Sequence, residues 1–271
     1  MGSLPGIFSS PLPSRPDRSR PRTDEIRIAG GDTATPLNLA KRVRLLDARL
    51  GLRGKRVLDA GCGAGEYVES FVARGADAIG FEYDAGKVAA YQAKHPGSMR
   101  VRAGLLTAID APSGSFDVAI LNEVLEHTPD EAATLAELHR VLKPGGTLVV
   151  FAPNRLYPFE THGVVRRNSG CPLSPWTPGI PYVPLALGRR WWVYWARNYW
   201  PGELGRVVAD ARFRLVGRAW VGQTFENISG QQPPWVAGAS PCLRRFVGLV
   251  EACPGLRCFC PSQVVFALKH P

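Results

Sequence analysis

Residues 57–65 read Val-Leu-Asp-Ala-Gly-Cys-Gly-Ala-Gly. A short apolar start with strand character runs into Gly61, Gly63 and Gly65, and a helical pattern begins at Glu66. Glycines at alternate positions let the backbone turn sharply and let a ligand lie against the main chain with no Cβ between them. The spacing is G-x-G-x-G. The third glycine of a dinucleotide-binding G-x-G-x-x-G would fall at position 66, which is Glu66. A carboxylate at the start of that helix is a poor host for pyrophosphate, which needs bare N–H groups and positive potential. The loop therefore predicts a nucleoside ligand without phosphates. Glu82 follows about 20 residues later, at the end of a second apolar run, Ala78-Ile79-Gly80-Phe81. An acid there can accept hydrogen bonds from both hydroxyls of a ribose.

On either side of this stretch the pattern is regular. Leu39, Val43, Leu46 and Leu50 have helical spacing and predict a helix over 37–52, ended by Gly51 and Gly54. Strand patterns at 56–60, 78–82, 99–103, 116–121 and 147–151 alternate with helical patterns at 66–74, 85–94 and 129–142. For the last helix, Thr128 and Glu131 read as a T-x-x-E capping box with Pro129 at the first helical position. Leu135, Leu138, Val141 and Leu142 line one face of it, and Pro144-Gly145-Gly146 stops it. Such alternation predicts a parallel sheet with ligands at the strand C-termini. Regularity stops at Ala152. Residues 153–200 carry seven prolines and the run Trp191-Trp192-Val193-Tyr194-Trp195. A long irregular insertion in a compact domain is usually functional, and this one reads as a lid. A helix at 201–211 and strands at 214–221 and 264–269 complete the chain, with no internal repeat.

Length and composition fit one domain: 271 residues, 45% hydrophobic. No apolar run approaches the roughly 18–20 residues needed to span a bilayer. Residues 1–36 are rich in Pro, Ser and Arg and read as a disordered tail. The tail lacks the apolar block of a secretory signal, and position 6 is Gly6 where myristoylation wants Ser or Thr. Its Ser/Arg content leaves organellar import as an alternative to the cytoplasm, although its prolines oppose the amphipathic helix import requires. The net charge of +10 is uneven: residues 155–220 hold ten arginines, no lysine, and only Glu160, Glu203 and Asp210. That excess predicts either a solvated face or an anionic substrate, membrane or nucleic acid. Six cysteines in a chain this long do not make a disulfide scaffold. Cys253, Cys258 and Cys260 lack tetrahedral zinc spacing, so free thiols in a reducing compartment and no bound metal are expected.

Four blocks coincide in order: the glycine loop 57–65, Glu82, the stretch Phe116-Asp117-Val118-Ala119-Ile120-Leu121-Asn122-Glu123-Val124-Leu125-Glu126-His127, and Leu142-Lys143-Pro144-Gly145-Gly146-Thr147-Leu148. Together they resemble the class I S-adenosylmethionine-dependent methyltransferases, in particular the type-11 group, over about residues 37–151. The resemblance implies an α/β, doubly wound, mostly parallel seven-stranded sheet whose last strand, 264–269, is antiparallel. It implies a methyltransferase domain over 37–271, with 153–200 as a lid or acceptor-binding insertion after the fifth strand. By the same resemblance Asp59, Ala60, Gly61 and Gly63 would surround the methionine part of S-adenosylmethionine. Gly65 would let the helix approach closely, Glu82 would bind the ribose, and Asn122 would lie beside the sulfonium. Many relatives place an Asp after the third strand to bond the adenine amino group. Here Ala103-Gly104-Leu105-Leu106 offers only backbone, with Leu105 as the nearest match.

For the transfer itself, an oxygen acceptor calls for a general base. The segment after the fifth strand is where this fold places acceptor-facing groups, and it contains Tyr157, Glu160 and His162. His162 is the expected base or acceptor ligand, assisted by Glu160 or Tyr157. His127 reads either as a cap for the following helix or as part of the cleft wall. The expected acceptor is a small or lipid-like molecule methylated at oxygen, with peripheral membrane contact through 189–197. RNA or protein methylation and a non-catalytic binding scaffold are the alternatives. Nucleic acid is disfavoured because Asn122-Glu123-Val124-Leu125 stands where base-methylating enzymes of this class carry Asn/Asp-Pro-Pro-aromatic.

Overall fold

A computed structural model describes residues 35–174, 176–226 and 234–270. The tail expected at 1–36 lies outside them, except that Thr35 caps and Pro36 opens the first helix. In chain order the elements are α1 (Pro36–Leu50), β1 (Arg56–Ala60), α2 (Glu66–Val72), β2 (Asp77–Glu82), α3 (Ala85–Lys94), β3 (Val101–Ala103), β4 (Phe116–Asn122), α4 (Glu131–Val141) and β5 (Leu142–Pro153). Then come β6 (Val164–Arg166), α5 (Leu185–Gly188), β7 (Trp192–Tyr194), α6 (Pro201–Asp210), β8 (Phe213–Val221), α7 (Pro234–Ala252) and β9 (Ser262–Lys269).

Seven strands form one sheet in the order β3-β2-β1-β4-β5-β9-β8. β1 to β5 run parallel, and β9 is antiparallel to both its neighbours, β5 and β8. The alternation of buried side chains along the central strands explains the two helical layers. Val118, Ile120, Val149 and Phe151 point to the face covered by α1, α2 and α3 through Val43, Leu46, Val68, Phe71 and Tyr91. Ala119, Leu121, Leu148 and Val150 point to the other face, covered by α4 and α6 through Leu135, Leu138, Leu204 and Val208. Each fully buried Leu or Phe contributes about 1.5–3 kcal/mol, so both faces must be covered for the sheet to persist. Strand order reverses between β1 and β4, and in open α/β sheets the C-terminal ends of the strands at such a switch point form the ligand-binding crevice.

Three sequence expectations are corrected. Asp130, not Thr128, caps α4: its carboxylate accepts from Ala133 N at 2.8 Å. The Thr128 hydroxyl donates instead to Leu125 O at 2.8 Å, and Glu131 binds Arg197 at 2.8 and 2.9 Å and the Tyr199 hydroxyl at 2.7 Å. Charge-assisted bonds to a guanidinium outcompete a backbone cap for the glutamate. The insertion is not irregular throughout, because Val164–Arg166 pairs antiparallel with Trp192–Tyr194 in a separate two-stranded sheet. The 19-residue α7 has no counterpart in the sequence reading; Pro241 and several glycines within it hide its helical spacing.

Candidate active site

The glycine loop leaves β1 and is pinned to β2. Gly61 N and Cys62 N both donate to Phe81 O, at 2.8 and 3.1 Å. Glu82 closes the loop from the side: Oε2 accepts from Gly63 N at 2.8 Å and Oε1 from Asp84 N at 3.0 Å. Gly65 lies against Tyr91 of α3, whose ring a Cβ at that position would meet at 2.6 Å. Gly63 differs. It has a φ of +58°, and a Cβ there would meet nothing within 4 Å, so bare backbone faces open space beside a carboxylate. Ala60 and Asp59 end β1 beneath it and are buried. Asp59 Oδ2 has no hydrogen-bond partner among the described residues. Burial first, then the charges of Glu82 and Glu66, push its carboxyl up to about 7. An open main-chain floor with an orphaned carboxylate fits a nucleoside bearing a cationic amino-acid portion. Leu105 lies two residues beyond Ala103, the register partner of Glu82, and is exposed there.

Asn122 ends β4, where α1 holds it. Arg42 Nη1 donates to Asn122 Oδ1, and Nη2 donates to Glu123 Oε1 at 2.9 Å and to Ser262 Oγ at 2.8 Å. Arg42 itself is buried, its guanidinium 5.0 Å over the Phe151 ring. Glu123 has a φ of 56°, a left-handed conformation uncommon outside glycine. That turn lies just beyond β4, where Glu123 and Glu126 are both buried.

His162 completes this group from the segment after β5. Its Nε2 lies 3.3 Å from Glu126 Oε1 and 4.0 Å from Glu123 Oε2, while Nδ1 is 2.9 Å from the Thr161 hydroxyl. The His127 ring centre is 5.2 Å from that of His162. His127 Nδ1 lies 3.2 Å from Trp195 O, a carbonyl that can only accept, so Nε2 carries the lone pair of the neutral ring. That Nε2 and Glu126 Oε2 are buried without hydrogen-bond partners among the described residues, while Glu126 Oε1 has His162 as its partner. Donor atoms of Glu126, His127 and His162 lie within 4.8 Å of one another, close enough to share one cation.

Electrostatics separate the two glutamates. Burial alone would raise Glu123, but Arg42, His162 and Ser262 outweigh it and hold the carboxyl below its ordinary range. Burial pushes Glu126 up, and the charge of Glu123 adds to this. Burial would lower His162, yet Glu126, Glu123 and Glu160 together raise it. His127 is pushed down to about 4 by burial and by His162, and is neutral at physiological pH.

Of the residues named from the sequence, His162 lies beside the carboxylates of Glu123 and Glu126. Glu160 is not its ring partner. The Glu160 carboxylate accepts from the backbone N–H groups of Thr161 and His162, both at 3.1 Å, and from Asn198 Nδ2 at 2.7 Å, so it folds the loop. Burial pushes the Tyr157 hydroxyl up to about 12, and its ring stacks edge-on against Phe159. Glu123 and Glu126 went unassigned; the E-x-x-E-H spacing directly after β4 was the signal that could have found them. The expected arginine cluster is divided: Arg189 and Arg190 are exposed, whereas Arg197 is tied to Glu131 and to Glu203 at 2.5 Å.

Comparison with known proteins agrees with this geometry. The family model described as "Methyltransferase domain" matches residues 58–150. The chain is 34% identical over 196 residues to a ubiquinone biosynthesis O-methyltransferase of Psychrobacter cryohalolentis, covering 66% of this chain and 71% of that one. Among solved structures, an S-adenosylmethionine-dependent methyltransferase from Mesorhizobium loti superposes with a TM-score of 0.55 at 19% identity, over 85% of this chain and all of that one. The Burkholderia thailandensis 1,6-didemethyltoxoflavin-N1-methyltransferase, solved with S-adenosylhomocysteine, superposes with a TM-score of 0.50 at 19% identity, over 86% of this chain and 78% of that one. Glycine loop, orphaned Asp59, sheet order and family match converge: the chain belongs to the class I S-adenosylmethionine-dependent methyltransferases of the type-11 group.

Proposed function

We propose that this methyltransferase acts on an oxygen of a small or lipid-like acceptor, with His162 as the base. The observation that carries this is His162 Nε2 set 3.3 Å from Glu126 at the end of the crevice. A relative named as a ubiquinone biosynthesis O-methyltransferase supports the same class of acceptor. S-adenosylmethionine, when bound, supplies a methyl group already activated for displacement. The chain's own tasks are then alignment, exclusion of water and removal of one proton. Gly61, Gly63 and Glu82 would hold the nucleoside, Asp59 and Ala60 the methionine portion, Leu105 the adenine side, and Asn122, fixed by Arg42, the wall nearest the reacting atoms. His162 would take the acceptor's hydroxyl proton at Nδ1, while its Nε2–H donates to Glu126 and orients the ring. Arg189, Arg190 and exposed Trp191 would meet an anionic or lipid-like portion of the acceptor, or a membrane surface.

The test is turnover of methyl-labelled cofactor against hydroxylated aromatic acceptors with and without an apolar tail. Transfer to their oxygens that falls at least about a hundredfold in His162→Ala supports the reading, since general base catalysis contributes about 10²–10⁴-fold. Cofactor binding without transfer to any of them, but with transfer to RNA or protein, selects that alternative. Binding without transfer to any acceptor selects a scaffold. The unpartnered Glu126 Oε2 and His127 Nε2 favour a second reading, in which a divalent cation held by Glu126, His127 and His162 would acidify the acceptor hydroxyl. Activity lost to a chelator and restored by one divalent cation selects that reading; indifference to chelation selects the base.

A further inference from the structure

Helix α7 is apolar on both sides. Its inner side is occupied: Val236 is buried, Val247 packs on Gly222, and the Glu251 carboxylate accepts from Gly222 N at 2.6 Å and pairs with Lys41 at 2.6 Å. Its outer side carries Cys242, Phe246, Leu249 and Cys253, spaced four, three and four residues apart, and all are exposed. Phe246 is 64% and Leu249 71% exposed. The stripe continues through exposed Leu256 and Phe259 at the end of the helix, and Trp235, 62% exposed, marks its start. A contiguous apolar patch of this kind on a protein surface marks a binding site.

We propose that α7 and the turn after it (Arg257–Phe259) form a peripheral docking face for an anionic lipid bilayer. The charge distribution points to this occupant. The only acid in α7, Glu251, is spent inward, while Arg245 and Arg257 are exposed beside the stripe. An apolar helix face rimmed by arginine, with a tryptophan at one end, is the composition that settles at the headgroup boundary. A twofold contact between two copies would set one basic rim against the other. No helix among the described residues is long and apolar enough to cross a membrane, so the contact is peripheral. The position is productive as well. The Trp235 ring lies 6.2 Å from Trp176, Trp176 lies 6.1 Å from Phe159, and Phe159 lies 5.6 Å from Tyr157. This line of aromatic rings joins the docking face to the segment that carries His162, and so offers a lipid-like acceptor an apolar approach. Only that last step rests on the proposed acceptor class; docking itself does not.

The test is co-sedimentation of the full chain with vesicles of phosphatidylcholine alone and of mixed phosphatidylcholine and phosphatidylglycerol, at low and moderate salt. The expected result is binding to the mixed vesicles, weakened by salt, with little binding to neutral ones. Phe246→Asp with Leu249→Asp should reduce binding at least about tenfold, and Arg245→Glu should abolish the preference for anionic lipid. Calorimetric affinity for S-adenosylmethionine should be unchanged in both variants, which separates a lost surface from a lost fold. Absence of wild-type binding to either vesicle overturns the proposal, as does full binding by the double Asp variant. A wild-type dimer that becomes monomeric in the double Asp variant, with no vesicle binding, assigns the face to a second copy instead. Loss of docking leaves methyl transfer to soluble acceptors intact, so failure here is distinguishable from failure of the acceptor reading.

Discussion

Arg42 shows how much of the site depends on one side chain far from it in sequence. It pairs with Glu123 at 2.9 Å with both groups almost fully buried, and it fixes Asn122 and Ser262 at the same time. Removing one partner of a buried pair leaves an uncompensated charge and costs about 3–5 kcal/mol. Arg42→Met should therefore destabilise the fold by about that amount in urea denaturation, and adding Glu123→Gln should recover part of the loss. His162 gives a second expectation. Glu126 is the largest of the influences that raise it, so as a base it loses its proton only above its ordinary range. Activity should rise with pH through that raised value. Glu126→Gln removes the influence, the histidine then deprotonates at lower pH, and the acid limb of kcat/KM should move downward, measured as a full pH profile. A purely structural role for Glu126 would lower activity without moving the limb.

Among elements, those that repeat a simple period were legible and those that do not were obscured. β1, β2, β4 and β5 announce themselves as apolar runs because both faces of a central parallel strand are buried; their alternation with helices predicts a parallel sheet, whereas seven strands with an antiparallel one come from the family resemblance alone. Glu82 and the glycine loop could be read because a turn, a close approach and an acid at a strand end are local requirements. Glu126 and His162 could not be paired from sequence, because the contact joins the segments after β4 and after β5, and the left-handed Glu123 lies shortly before Glu126. Helix α7 was hidden because apolar residues on both its faces erase the amphipathic period, and Pro241 interrupts what remains. The insertion at 153–200 is still proposed as a lid. Its strands β6 and β7 form a sheet separate from the main one, Val165 also bridges to Pro172, and Trp195 O reaches back to His127. Hydrogen exchange over 164–194 should slow when cofactor and acceptor are both present; protection already complete in the free protein would make it static wall.

At the scale of the whole molecule, ligand binding and proton binding are linked through the centre of the sheet. The buried Asp59 carboxyl, pushed up to about 7, is partly protonated near neutrality. A cationic amino-acid portion beside it favours the ionised form, so below pH 7 binding must expel a proton. Calorimetric affinity for S-adenosylmethionine should rise from pH 6 to pH 8, by up to about tenfold for each unit below the carboxyl's value. Asp59→Asn should flatten that slope.

The bond from Arg42 to Ser262 also has a temporal side. It ties the first helix to the last strand, and β9 enters the sheet between two strands made before it. During synthesis the sheet from β1 to β5 can condense early, but the chain must emerge through Lys269 before β9 can slot in and the guanidinium finds all its acceptors. Competence is thus acquired late, only once β9 has joined the sheet. In a refolding experiment, burial of the central aromatic residues should precede the appearance of cofactor binding. A fragment ending before residue 262 should gain secondary structure yet never gain that binding.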